Sequence, residues 1–322
     1  MSVTTVAAAL AAGQRFVVTT HLQPDGDGIG AALALRLALL AAGKSVRVVC
    51  PSPVASTYRF LPGFDAIEVL EEEAQAKRRK LVDAVVSLDC GDLERLGAVA
   101  KWPCGQLVNI DHHAAGRPFG DAILVDGQAA CTAQLVARVL RQLRWPVTSE
   151  IATCLYTGLV FDTGRFMHDN TSAREFRFAA QLVAAGVDAA QVNRQLAYQR
   201  SQHDLAIEAL GIKRLRVDED DPRLAGIALS KADIARVGAP EDWGDLVDIP
   251  RSLRGVEIAY LAREQDDGAV RLSLRANPPY AVAPVAVAFG GGGHLLAAGC
   301  TVQGGLRATL RCVLPLLREQ LG

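Results

Sequence analysis

His21-Leu-Gln-Pro-Asp25-Gly-Asp27-Gly-Ile-Gly30 follows directly on an apolar run at 15–20 (RFVVTT) and leads into a longer apolar stretch at 29–42. The short run reads as a buried strand and the longer one as a helix, closed by Gly43 as a C′ residue. Between them Gly26, Gly28 and Gly30 permit unusual backbone angles and close approach of other atoms, and Pro24 stiffens the turn. This pattern predicts that His21, Asp25 and Asp27 converge just beyond a strand end. An imidazole with two carboxylates is a donor set for a divalent metal such as manganese.

Working outward, residues 46–50, 81–88, 106–110 and 122–125 read as further strands, and 129–143 and 150–160 as helices. The alternation predicts an α/β domain built on a mostly parallel sheet, with helices on both faces. Sites in such sheets form beyond the carboxyl ends of the strands. Residues 172–215 read as helical with a break at Gly186, and Thr171 or Ser172 caps the helix starting near Ala173. A β-richer region follows, with strands at 224–229, 255–262 and 270–275. The last two form a hairpin around Gln265-Asp266-Asp267-Gly268. A helix, a glycine run and an amphipathic helix end the chain. The reading is a catalytic domain over 1–187, a helical linker over 188–212 and a smaller C-terminal α/β domain over 213–322. The acidic run 218–221 reads as a solvated turn.

With 322 residues, half of them hydrophobic, the chain is long enough for two cores. Its 34 Lys and Arg against 35 Asp and Glu give a net charge of -1. A protein gripping long nucleic acid usually carries a basic excess, so the expected partner is short. Seven scattered cysteines without a C-x-x-C pair suit a reduced, cytoplasmic protein. The N-terminal stretch reads as an amphipathic helix rather than a signal peptide. No apolar run reaches the length of a membrane span.

Three more segments end an apolar element with an acid or imidazole: Asp89, the run Asp111-His112-His113, and Asp162. Each alone reads as a helix cap or turn former. Together, Asp25, Asp27, Asp89 and Asp162 on one sheet edge would repel strongly unless cations neutralise them. Two divalent ions solve that problem and provide a reaction centre. Cys90 is the competing candidate for a nucleophile.

HLQPDGDGIG, SLDCGD, DHH and FDTG, in this order, resemble the four motifs of the DHH phosphoesterase superfamily. RecJ-type exonucleases, family II inorganic pyrophosphatases and nanoRNase/pAp phosphatases belong to it. The resemblance runs over about residues 14–177. Ala31 departs from the Ser of many members, away from the ligand positions. The resemblance implies that His21 and Asp25 bind one metal and Asp27 the other, with Asp89 bridging. His112 and Asp162 would complete the second site. His113 would face the substrate phosphate, and Asp111 would orient an imidazole or cap a turn. Mn²⁺ is the expected ion, with Mg²⁺ or Co²⁺ as alternatives. The ions would share and activate a water for in-line attack on phosphorus.

Near the C-terminus, Ser273-Leu-Arg275-Ala-Asn277 and Phe289-Gly290-Gly-Gly-Gly293-His294-Leu-Leu-Ala-Ala-Gly299 are similar to motifs of the DHHA1 substrate-binding domain. A glycine run can offer backbone N–H groups to phosphate oxygens; the plain alternative is a flexible turn with a surface arginine. By the resemblance Arg275, Asn277, Gly291, Gly292, Gly293 and His294 hold the far part of a nucleotide across an interdomain cleft, which His168 could line. The leading expectation is a nanoRNase/pAp phosphatase acting on short RNA oligonucleotides and on 3′-phosphoadenosine 5′-phosphate (pAp). A soluble cyclic di-AMP or pApA phosphodiesterase and a non-catalytic nucleotide sensor are the alternatives. A homodimer stays open.

Overall fold

Phe16, Val17, Val18 and Thr19 are all buried in strand β1 (Arg15–Thr19), as a strand covered on both faces requires. In the computed structural model, which describes residues 2–70, 80–113, 116–198, 201–240 and 243–322, the chain forms two units that divide between Gln199 and Arg200. Besides β1, the first unit holds α1 (Val3–Ala12), α2 (Gly26–Ala41), β2 (Ser45–Cys50), β3 (Ile67–Val69), β4 (Val82–Leu88), β5 (Cys104–Asp111) and β6 (Ala122–Val125). It continues with α3 (Thr132–Leu143), α4 (Ser149–Asp162), α5 (Ala173–Ala184) and α6 (Ala189–Tyr198).

The six strands are parallel in the order β3-β2-β1-β4-β5-β6. Strand order reverses between β1 and β4, so their connections leave in opposite directions and open a crevice at the carboxyl ends. Side chains alternate between faces. Phe16, Val18, Val86, Leu88, Val108 and Ile110 enter the larger core with residues of α1 to α4. Val17, Val49 and Val85 pack with Leu70, Val99 and Trp102 in a smaller one. Where the alternation predicts α-helices on both faces, a 3-10 stretch (Leu93–Lys101) supplies Val99 to this second core, and Gly97 breaks it at φ 53.

Helix α2 begins at Gly26, three residues before the expected start. Its glycines have no positive φ, so unusual angles are not their purpose. Close approach is. A Cβ would lie 2.7 Å from the Phe161 ring at Gly26, 2.3 Å from Thr20 Oγ1 at Gly28 and 2.5 Å from the Cys154 carbonyl oxygen at Gly30.

The second unit holds α7 (Gln202–Arg214), β7 (Leu215–Val217), β8 (Leu224–Leu229), α8 (Lys231–Val237), α9 (Asp248–Arg251), β9 (Ile258–Glu264) and β10 (Val270–Ala276). It ends with α10 (Ala283–Ala288), β11 (Gly292–His294), β12 (Ala297–Val302) and α11 (Leu306–Glu319). Its sheet has the order β11-β12-β10-β9-β8-β7, parallel between β8 and β9 and otherwise antiparallel. Leu272, Leu274, Val313 and Leu317 pack on one face; Ile207, Ile227 and Leu261 pack on the other. Val192 of α6 joins the first unit's core and Ile207 of α7 the second's, so the helical stretch 188–212 is shared between the units.

The acidic run is the expected turn, with Glu219 and Asp220 exposed, but Asp218 is not solvated. Arg318 of α11 donates to Asp218 from Nε and Nη2 at 2.8 and 2.9 Å, and its Nη1 lies 2.7 Å from Asp220. The run anchors the terminal helix beside the β7–β8 turn. No helix among the described residues is long and apolar enough to cross a membrane.

Candidate metal centre

The carboxyl ends of β1, β4 and β5 and the last turn of α4 meet at the crevice. His21 lies two residues past β1. Asp89 follows β4 at φ 57, a left-handed angle that aspartate tolerates better than most non-glycine residues. Asp111 ends β5 and precedes His112 and His113, and Asp162 ends α4. Asp25 caps α2, its Oδ1 accepting from the N–H groups of Asp27 and Gly28 at 3.1 and 3.0 Å.

These side chains fall into two adjoining sets. His21 Nε2 is 3.5 Å from Asp25 Oδ2 and 3.5 Å from Asp89 Oδ2. His112 Nε2 is 3.5 Å from Asp89 Oδ1 and 3.0 Å from Asp162 Oδ2. Donor atoms of Asp27, His112 and Asp162 all lie within 4.8 Å of one another, as do those of His21, Asp25 and Asp89. Asp89 therefore turns one oxygen toward each set. Their spacing predicts that His21, Asp25 and Asp27 meet at a single spot; instead Asp27, the second residue of α2, turns its carboxylate toward the start of α3 and joins the other set.

The donor set fits divalent ions. His21 Nδ1 lies 2.8 Å from the Leu22 carbonyl oxygen and His112 Nδ1 3.3 Å from that of Ala129. An N–H donated there leaves each Nε2 lone pair facing the carboxylates, the tautomer a metal-binding imidazole uses. Arg95 Nη2 is also 2.9 Å from His21 Nδ1, so the ring's protonation decides between two partners. Asp162 Oδ2 is buried without a hydrogen-bond partner. His112 Nε2 stands 3.0 Å from it, so an imidazole and a carboxylate donor atom lie side by side.

Burial opposes a charged His21, but Asp25 and Asp89 outweigh it and raise its pKa to about 10. His112 is likewise raised to about 11 by Asp162, Asp89 and Asp27 against burial. Burial, with Asp162 and Asp89 adding repulsion, pushes Asp27 well above the carboxylate range. Burial also raises Asp162, which His112 partly offsets. Asp89 is held below the usual range because the three histidines outweigh its burial. The imidazoles and carboxylates thus favour each other's charged forms, while the carboxylates oppose one another.

Two supports escaped the sequence reading. The Thr132 and Ala133 N–H groups, at the start of α3, donate to Asp27 Oδ2 and Oδ1 at 2.5 and 2.9 Å, a helix N-terminus holding an anion. The Thr132 hydroxyl donates to Asp89 Oδ1 at 3.0 Å. A threonine within an apolar run gives no signal of either bond. Asp111 Oδ1 lies 2.7 Å from His113 Nδ1, and burial is outweighed by Asp111 and Asp89 in raising the His113 pKa. Cys90 is no nucleophile: it is buried, its Sγ donates to the Asp92 carbonyl oxygen, and burial pushes its thiol up to about 12. His168 is exposed, with Nδ1 3.1 Å from the carbonyl oxygen of Asp162, which Asn170 Nδ2 also reaches at 3.1 Å.

In the second unit, Arg275 pairs with Ala297 and Ala297 with His294, placing Arg275 and His294 in one cross-strand row on one sheet face. Asn277 Nδ2 donates to the Val256 carbonyl oxygen at 3.1 Å. The glycine run is a strand end rather than a flexible turn. Gly290 and Gly291 donate their N–H groups to the Val287 and Ala286 carbonyls of α10, at 2.9 Å each, and Gly292 and Gly293 belong to β11. A Cβ on Gly291 would sit 2.2 Å from the Gly299 carbonyl oxygen, and one on Gly293 2.5 Å from that of Ala297. These glycines let β11 press against β12, and this edge strand presents backbone groups outward.

A parallel sheet with paired acid–histidine sets at its switch point, followed by a smaller mixed domain, defines a class of two-domain hydrolases. Residues 15–159 match the DHH family, N-terminal domain, and residues 234–313 match the DHHA1 domain. The chain belongs to the DHH family and is a phosphoesterase carrying a DHHA1 domain. It is 33% identical over 308 residues to the bifunctional oligoribonuclease and PAP phosphatase NrnA of Thermus thermophilus, covering 94% of this chain and 89% of that one. The protein of the same name from Bacillus subtilis is 23% identical over 291 residues, covering 89% and 88%. An exopolyphosphatase-related protein from Bacteroides fragilis shares the fold, with a TM-score of 0.88 at 24% identity over 98% of this chain and 95% of that one.

Proposed function

We propose that this protein hydrolyses short RNA oligonucleotides to mononucleotides and removes the 3′-phosphate of pAp, using two divalent metal ions. The observation that carries the proposal is the donor set divided by Asp89 into two adjoining groups. Similarity along nearly the whole chain to oligoribonuclease and PAP phosphatase proteins supports the substrate class. His21, Asp25 and Asp89 would hold one ion, and Asp27, Asp89, His112 and Asp162 the other. Hard carboxylates with imidazole suit Mn²⁺. Bound there, the ions supply Lewis acidity and lower the pKa of a water.

The remaining residues bind and orient. Asp111 fixes His113 through Nδ1 and favours its imidazolium form, which would offset charge building on the phosphoryl oxygens. Arg275 and His294 would contact the part of the nucleotide away from the scissile bond. Asn277 would hold the end of β10, and Gly291, Gly292 and Gly293 would admit the ligand close to the backbone. The small net charge fits a substrate with few phosphates.

Hydrolysis in ¹⁸O-labelled water tests this reading. An RNA dinucleotide should yield mononucleotides with one ¹⁸O in the newly freed phosphate, and pAp should yield AMP and labelled inorganic phosphate. Both reactions should require added divalent metal. Absence of product with Mn²⁺, Mg²⁺ and Co²⁺ alike would overturn it.

A further inference from the structure

Within the first unit, α3, α4 and α5 enclose a groove of about 620 Å³, within the size range of small-ligand sites. Its wall carries the partly buried rings of Trp145 and Phe178 over an apolar floor. Five arginines line it. Two are already engaged: Arg138 with Asp126 and Arg174 with Glu175. The other three, Arg141, Arg144 and Arg177, are exposed and have no salt bridge among the described residues. Three guanidinium groups without a salt bridge beside an aromatic wall are a local concentration of positive charge in a chain of net charge -1.

The backbone supplies a second observation. Arg144 ends α3 at φ 56, and the Trp145 N–H reaches back to the Leu140 carbonyl oxygen at 3.0 Å. This is a Schellman-type ending whose left-handed residue is usually glycine. An arginine here accepts an angle that glycine takes without strain, and it brings a guanidinium to the groove.

We propose that this groove is a binding site for a nucleoside phosphate, separate from the metal centre. A planar base would lie against Trp145 and Phe178. Its phosphate would be held by Arg141, Arg144 and Arg177, whose forked donors match phosphate oxygens. An apolar ring alone would leave the charges unneutralised, and an inorganic anion alone would leave the aromatic wall uncovered. The groove adjoins the candidate metal centre at Ala129, which lines it and whose carbonyl oxygen lies 3.3 Å from His112 Nδ1.

Calorimetric titration of the full chain with AMP, adenosine and inorganic phosphate tests the proposal, with chelator present to silence the metal centre. AMP should bind at least tenfold more tightly than adenosine or phosphate, and more weakly as salt rises. Measured in an Arg275→Ala, His294→Ala background that removes the nucleotide contacts proposed for the second unit, combined Arg141→Ala, Arg144→Ala and Arg177→Ala substitution should abolish that binding. Arg144→Gly is the second variant, because it relieves the left-handed angle and removes only the guanidinium. It should weaken AMP binding several-fold without lowering the melting temperature. An AMP isotherm identical in the wild type and both variants overturns the proposal. Equal affinity for inorganic phosphate overturns the nucleoside part. So does a concentration-dependent dimer lost in the triple variant without any AMP binding, which would make the groove a contact between copies.

Discussion

The Thr132 hydroxyl donates to Asp89 Oδ1, and the Thr132 and Ala133 N–H groups hold Asp27. Thr132→Val keeps the volume and the N–H but removes the hydroxyl. Loss of such an orienting bond costs about 10–100-fold in activity or metal affinity, so turnover should fall by that factor with the fold intact. Wild-type turnover at saturating metal would show that the bond is incidental. Protonation gives a second test. His21 and His112 are raised from 6.5 to about 10 and about 11. Their charged forms stabilise the metal-free protein fully below about 6.5, and that contribution fades as pH rises through the folded values. Ligation needs neutral rings, so metal affinity should move oppositely and strengthen as pH rises. Calorimetry of Mn²⁺ binding near neutral pH, in buffers of different ionisation enthalpy, should show at least about two protons released, from these rings and from Asp27. Binding without proton release would contradict the assigned ligands.

At the scale of the elements, α2 and α4 carry Asp27 and Asp162 and cross where neither can have a side chain. A Cβ on Gly158 would lie 2.5 Å from Asp27 Oδ1 and 2.8 Å from the Ala133 Cβ. Gly158→Ala should therefore displace Asp27, with a stability loss of about 1–3 kcal/mol from overpacking and a larger fractional loss of activity. Urea unfolding alongside turnover measures both, and unchanged values of each would refute the packing account. The same elements show what sequence reveals. β1 and β4 were legible because unbroken apolar runs suit strands buried on both faces, and acids just after them mark the functional edge. The start of α2 was not, because glycines at 26, 28 and 30 disfavour a helix by propensity and only contacts with Thr20, Phe161 and Cys154 make them necessary. The β11–β12 hairpin was hidden for a related reason: pairing with β12, a tertiary effect, makes a strand of a glycine run. Asp218 looked solvated because its partner, Arg318, is distant in sequence.

Across the whole molecule, each of the two units has its own sheet and cores. The candidate metal ligands all belong to the first. The second carries Arg275 and His294 on one face of its sheet, and its terminal helix is tied down by Arg318 and Asp218. The short substrates proposed for this protein would need no large basic surface, in keeping with the near-balanced charge. The central claim is that Asp89 joins two metal sites into one hydrolytic centre for short RNA and pAp. The most direct measurement is turnover of a 5′-labelled RNA dinucleotide and of pAp with Mn²⁺, with chelator, and with the Asp89→Ala variant. The account predicts Mn²⁺-dependent cleavage of both substrates, abolished by chelator and reduced to the chelator background in the variant. Cleavage that survives chelator and the loss of Asp89, or tight nucleotide binding with no turnover by the wild type, would contradict it.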